Sequence, residues 1–208
     1  MTHDAKHATE HSEEVEVWDD ETAEQYVAKW GKDPTNRMTV EVAGLRPEDV
    51  VVDVGCGSGE AVRVAAEHVV RGRASGVDPS PAMIRIATEQ TRDHACADRI
   101  RFFEGPAEKL PLESGSASVV LAINSLHHWA QPDAGLEEVW RALVPGGRFL
   151  IGDEETETGG WSHAEGDLSD AVKIQQLVES HGFESARTSR HTDADAVLLL
   201  MEVTKPVG

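Results

Sequence analysis

The chain has 208 residues, 39% hydrophobic and 27% charged, enough for one α/β domain with a full core and too few for two ordinary ones. Its net charge of −19 repels phosphate backbones, and its positive residues are scattered, so nucleic acid is not an expected partner. The longest apolar runs, 119–123 and 196–201, are far short of a membrane span; the first residues show no signal-peptide core, and the only cysteines, Cys56 and Cys96, suit a reducing cytoplasm.

Residues 1–14 are polar and acidic, with His3, His7 and His11 spaced four apart. On a helix these imidazoles would share a face; without packed surface the segment reads as a tail, and no metal site is assigned. Order is expected from near Trp18. Ala23, Tyr26, Val27 and Trp30 follow the spacing of an amphipathic helix that Gly31 ends. A second short helix is expected after Pro34, running towards Gly44 with Met38, Val40, Val42 and Ala43.

Strands and helices alternate from Val50 onwards. Val50–Val54 reads as a strand, followed by a glycine turn and a helix ending near Arg71-Gly72. A second strand runs over Arg73–Val77 and closes on Asp78. Ser80 and Pro81 supply the N-cap and first-turn proline of the next helix, with Met83, Ile84 and Ala87 on one face. Ile100–Glu104 and Ala117–Asn124 are the third and fourth strands. A helix carrying Leu136, Val139, Trp140 and Leu143 is expected to stop at Pro145-Gly146-Gly147, with a fifth strand over Arg148–Gly152. A helix over Leu168–His181 and two extended runs, Glu184–His191 and Ala196–Thr204, complete the chain. The pattern predicts a doubly wound, Rossmann-like seven-stranded sheet, mostly parallel, with an antiparallel C-terminal strand pair and N-terminal capping helices. Residues 15–208 read as one domain, a helical lid over 15–45 and a core over 46–208.

The chemistry sits where the first strand meets its turn, Gly55-Cys56-Gly57-Ser58-Gly59. Glycine admits a ligand close to the backbone, and the helix beyond offers N–H groups to an anionic group. A dinucleotide fingerprint needs glycine where Glu60 stands, and a P-loop needs a Gly-Lys-Ser/Thr run that is absent. Asp78, at the carboxyl edge of the sheet, can accept hydrogen bonds from both hydroxyls of a ribose. The segment Glu104–Pro111 follows strand three, where a base would lie, and Asn124–Trp129 follows strand four beside the reacting end. S-adenosylmethionine fits this arrangement better than a dinucleotide.

Val51–Gly59, Gly76–Ser80, Gly105–Pro111, Leu126-His127-His128 and Arg141–Gly147 together resemble the class I S-adenosylmethionine-dependent methyltransferases, in the small-molecule branch that includes the ubiquinone/menaquinone C-methyltransferases. The resemblance implies roles by position. Gly55 and Gly57, with Cys56 between them, face the methionine part of the cofactor, and Asp53 braces the turn. Asp78 binds the ribose, Pro79 and Met83 pack on adenine, and Ala107 presents its backbone to it. Asn124 lies near the sulfonium, and Tyr26 near the methionine carboxylate, with Arg37 following the lid helix. Two positions depart from the family pattern, which commonly has Asp at both. At Pro106 the usual carboxylate for the adenine amino group is missing, with Glu108 as the candidate substitute, and Ser118 concerns packing.

A base is useful if the acceptor is a hydroxyl, phenol or acidic carbon. His128, then His127, are the candidates, one ring facing the pocket and the other packing. Trp161, in the Gly- and Glu-rich loop 153–167, is expected to touch the substrate, and Trp140 to be core. That loop is short, so a shallow acceptor pocket is expected, completed by the N-terminal helices or by the second subunit of a homodimer. The resulting expectation is an enzyme acting on a small molecule. Methylation of a protein side chain through an open site, and cofactor binding without catalysis in a regulatory protein, stand as alternatives.

Overall fold

The computed structural model describes residues 19–155, 161, 166–194 and 196–208. The expectations for the tail at 1–14, for Trp18, and for most of the loop between 156 and 165 lie outside these residues.

Two helices come first, α1 (Asp20–Trp30) and α2 (Pro34–Val42), each opened by an aspartate whose carboxylate accepts a backbone N–H of the first turn: Asp19 from Thr22 and Asp33 from Thr35, both at 2.8 Å. The alternating core then runs β1 (Val50–Val54), α3 (Glu60–His68), β2 (Arg73–Asp78), α4 (Pro81–Thr91), β3 (Ile100–Glu104), β4 (Ala117–Ile123), α5 (Pro132–Ala142), β5 (Leu143–Glu154), α6 (Ala171–Ser180), β6 (Glu184–Thr192) and β7 (Val197–Thr204).

The seven strands form one sheet in the order β3-β2-β1-β4-β5-β7-β6, parallel except for β7, which runs antiparallel to both β5 and β6. The expected Rossmann-like class and antiparallel C-terminal pair are therefore present. The central strands are buried on both faces, which explains their continuous apolar runs. Val52, Val54, Val120, Phe149 and Ile151 pack with Leu136 and Val139 of α5 and Ile174 and Val178 of α6. Val51, Val119, Leu121 and Leu150, one residue out of phase, pack with Val40 of α2 and Val62, Ala65 and Ala66 of α3.

Some element ends differ from expectation. Helix α3 stops at His68, and α6 starts at Ala171 after a 3-10 turn over Gly166–Ser169. Helix α5 ends at Ala142, where Leu143 turns extended, so Pro145-Gly146-Gly147 lies inside β5 rather than before it. Ala117 pairs Leu143 and Val119 pairs Arg148, so the proline and glycines form an irregularity that pairs with no β4 residue. A proline without an N–H is tolerated there.

The strand order reverses direction between β1 and β4, which opens a crevice above their carboxyl ends. Helix α1 reaches this crevice from the side. Its Ala23 packs with Ala82, Met83 and Ile86 of α4, with Tyr26 and Val27 against them, in a cluster separate from the two main cores. Arg85 of α4 reaches Asp20 at 3.2 Å and Glu24 at 3.3 Å on the outer face.

Candidate active site

Strand β1 runs into the glycine turn because Gly55 and Gly57 take positive φ, +78° and +49°, which other residues adopt rarely. The turn is pinned to the end of β2: Gly55 N and Cys56 N donate to Val77 O at 2.8 and 3.1 Å. Asp78 completes the tie. Its Oδ2 accepts from Gly57 N and its Oδ1 from Ser80 N, both at 2.9 Å. Only 7% of Asp78 is exposed, and burial holds its carboxyl above the usual range, opposed by the Ser80 and Gly57 N–H groups. Each carboxylate oxygen accepts one backbone hydrogen bond and keeps acceptor capacity for a ligand hydroxyl.

The cleft over this turn has two connected halves that share Tyr26, Gly55, Gly57, Asn124 and His128. Asp78, Pro79, Met83, Pro106, Ala107 and Glu108 line the first half, opposite Ser125 and Trp129. Glu108 is held there by Gln131 N, which donates to its Oε1 at 2.8 Å. Val27, Trp30, Asp33, Asn36, Cys56 and His127 are among the residues lining the second half. Burial pushes the Cys56 thiol well up, so it presents an apolar sulfur rather than a thiolate.

Asn124 takes φ +49° where β4 ends, a conformation that asparagine tolerates best among non-glycine residues. Its Nδ2 donates to Thr35 Oγ1 at 2.8 Å, and its Oδ1 accepts from Glu154 N at 3.3 Å. Thr35 Oγ1 in turn donates to Asp33 Oδ1. One polar chain thus joins the start of α2 to the ends of β4 and β5.

The two histidines occupy a 3-10 turn after β4 and differ in environment. His127 is packed down, its Nδ1 3.2 Å from Asp153 Oδ2, and both side chains are only 6% exposed. His128 is exposed and lines both halves of the cleft, its ring centroid 4.2 Å from that of His127.

Several expected residues stand elsewhere. Asp53 lines neither half of the cleft; it lies behind the turn, 2% exposed, and among the described residues its Oδ1 has no hydrogen-bond partner, so no brace is made through that oxygen. Burial, and then the charge of Asp78, push its carboxyl up to about 7. Arg37 also lines neither half and pairs with Glu41 and Glu60 instead. Trp161 is core rather than a substrate contact. It is 2% exposed, packs in the cluster with α5 and α6, and bridges to Glu155, because burying the indole outweighs leaving it in a loop. Ser118 does serve packing, donating to Asp49 Oδ1 at 2.8 Å and accepting from Val50 N at 2.9 Å.

Sequence reasoning passed over Asp33, Thr35 and Asp153. Asp33-Pro34 carried a local signal, since an aspartate before a proline is a helix start. Asp153 carried none beyond its place at a strand's carboxyl end.

Residues 52–151 match a family model described as a methyltransferase domain. The chain is 34% identical over 140 residues to a 27-O-demethylrifamycin SV methyltransferase of Amycolatopsis mediterranei, covering 65% of this chain and 48% of that protein. It is 30% identical over 116 residues to a ubiquinone/menaquinone biosynthesis C-methyltransferase of Ectopseudomonas mendocina, covering 55% and 45%. The match thus spans about half the length of these relatives. The fold also superposes on a SAM-dependent methyltransferase from Aquifex aeolicus with a TM-score of 0.71 at 17% identity, over 90% of this chain and 98% of that one.

Proposed function

We propose that this chain, a class I S-adenosylmethionine-dependent methyltransferase by the domain matched over residues 52–151, moves a methyl group from that cofactor to a small-molecule acceptor. The single observation that carries the reading is the Asp78 carboxylate, fixed by two backbone N–H groups at the carboxyl end of β2, beside a glycine turn with positive φ.

The residues present fit the cofactor. A Cβ on Gly57 would meet nothing within 4 Å, so the backbone there is open to a ligand. Pro79 and Met83 offer apolar surface for a base, and Asp78 keeps acceptor capacity for ribose hydroxyls. Pro106 has no N–H to offer, which leaves the backbone of Ala107 and the held carboxylate of Glu108 on that side. When bound, S-adenosylmethionine supplies a methyl group on a positively charged sulfur, which any suitably aligned nucleophile can attack.

The protein's own contribution is alignment, exclusion of water and movement of a proton. Alignment can account for a large part of the acceleration in such a displacement. Asn124, locked between Thr35 and Glu154, keeps the floor of the cleft rigid at the junction of its halves. Tyr26 on α1 walls both halves and Trp30 the second, which reduces solvent contact without a long insertion after β5. His128 is the ring accessible to an acceptor proton, and His127, seated on Asp153, packs against it.

Calorimetric titration with S-adenosylmethionine, followed by assay of S-adenosylhomocysteine production over a metabolite panel, tests the proposal. Micromolar binding with turnover on a metabolite is the expected result. No binding refutes the cofactor, and binding without turnover on any metabolite refutes the small-molecule acceptor.

A further inference from the structure

Asp53 is a buried carboxyl that the chemistry set out above leaves without a role. It stands two positions before Gly55, whose turn walls both halves of the cleft, and it is 2% exposed. Gly76 on β2 and Leu121 on β4 lie opposite it in the sheet, and neither carries charge. By alternation its side chain shares the sheet face of Val51, which α2 and α3 cover. The arginines of those helices are engaged: Arg37 pairs with Glu41 and Glu60, while Arg63 lies 2.9 Å from Glu60 and donates to Ser58 O at 2.7 Å. Among the described residues, Asp53 Oδ1 has no hydrogen-bond partner and no cation acts on the carboxyl.

Two titratable groups share this interior with it. Asp78, at the end of β2, adds a second negative charge, and burial together with that charge holds the Asp53 carboxyl up to about 7. Cys56 lines the second half of the cleft, and its thiol is pushed up by burial and then by the charges of Asp78 and Asp53. The field of Asp53 therefore reaches the cleft wall, although its side chain does not line it. A positive charge brought to that wall favours ionised Asp53, whereas a neutral group leaves burial to keep the proton on.

On the cofactor reading, S-adenosylmethionine and S-adenosylhomocysteine differ here only by one methyl group and the positive charge on sulfur. Base, ribose and ammonium are common to both, so Asp78, Pro79, Met83 and Ala107 meet them alike. We infer, building on the methyl-transfer reading above, that Asp53 selects the methyl donor over its demethylated product through the field behind the glycine turn, releasing its proton when the sulfonium binds and keeping it when the neutral thioether binds. The proton goes to bulk water, and one returns once the methyl group has left the sulfur. Asp53 touches no reacting atom; it sets specificity by charge. At low pH it is protonated in every state and cannot discriminate. As pH rises the donor complex loses the proton first, so preference for the donor grows and then levels off.

Calorimetric titration of the full chain with each of the two ligands, from about pH 5.5 to about pH 8 at constant ionic strength, tests this. The preference for S-adenosylmethionine over S-adenosylhomocysteine is expected to grow roughly tenfold across that range. Asp53→Asn is expected to hold the preference constant with pH. Tyr26, Asp33, His127 and His128 also line the cleft. A rise that survives in Asp53→Asn therefore belongs to another group and overturns the inference, as does a constant preference in the wild type. Difference infrared spectroscopy supplies a readout that needs no variant. Near about pH 6, the carbonyl stretch of a buried protonated carboxyl should vanish on adding S-adenosylmethionine and persist with S-adenosylhomocysteine; persistence with both overturns the inference. Failure of both ligands to bind refutes the methyl-transfer reading instead, so the two failures are distinguishable.

Discussion

Replacing Asp53 by Asn gives the sharpest physical test of the site's interior. The folded chain holds the Asp53 proton up to about pH 7, whereas an ordinary aspartate releases it near 3.8. Below about pH 4 both the folded and unfolded states carry the proton and the group costs nothing. As pH rises, the unfolded state releases its proton first, so stability falls, and the loss levels off above about pH 7. That gap, at 1.36 kcal/mol per unit, corresponds to a penalty of about 4 kcal/mol when Asp53 is fully ionised. About 2–3 kcal/mol of it develops between pH 5 and pH 8. Asparagine has nearly the same shape and does not titrate, so its own cost is independent of pH. Urea unfolding of both proteins without cofactor, at intervals from pH 5 to pH 8, is the assay. The variant should gain on the wild type by about 2–3 kcal/mol across that range, whatever the offset at pH 5. A difference that stays constant with pH would refute the claim that Asp53 is buried without compensation.

Four further outcomes follow from the same geometry. Asp78→Ala is expected to weaken S-adenosylmethionine binding by about 1.5–3 kcal/mol in calorimetry, the size of hydrogen bonds to a charged group. Gly55→Ala would place a Cβ 2.5 Å from Ser125 Cβ at φ +78°, and should lower stability by about 1–3 kcal/mol in a denaturant titration. Trp161→Ala, at a core position, should cost about 3–5 kcal/mol in the same titration, and a surface-like loss under 1 kcal/mol would contradict its burial. Trp161→Phe should recover most of that loss, because among the described residues the indole Nε1 has no hydrogen-bond partner to forfeit.

The parts of this fold that were legible in the sequence are those that local chemistry determines. Five consecutive strand-forming residues ending at Gly55 could only feed a turn that needs positive φ, and Ser80-Pro81 announced α4 by its cap alone. Asp78 was placed correctly at the carboxyl end of β2 because strand length fixes where a strand stops. What stayed hidden depends on contacts between distant segments. Trp161 lies in a stretch rich in glycine and glutamate, and no local pattern records that Ile174, Val178 and Phe183 complete the cluster that buries it. The partnership of His127 with Asp153 joins the ends of β4 and β5, which neighbour one another only once the sheet order is known. Asn124 makes the point most fully. Its position after a strand was readable, but its left-handed backbone follows from satisfying Thr35 on one side and Glu154 on the other. The cleft's floor is therefore set by tertiary hydrogen bonds. Removing Thr35 Oγ1 by Thr35→Val should loosen Asn124 from behind, since Thr35 itself lines neither half of the cleft. Asn124 amide hydrogen exchange would then quicken, and unchanged protection would show that the strained turn holds itself.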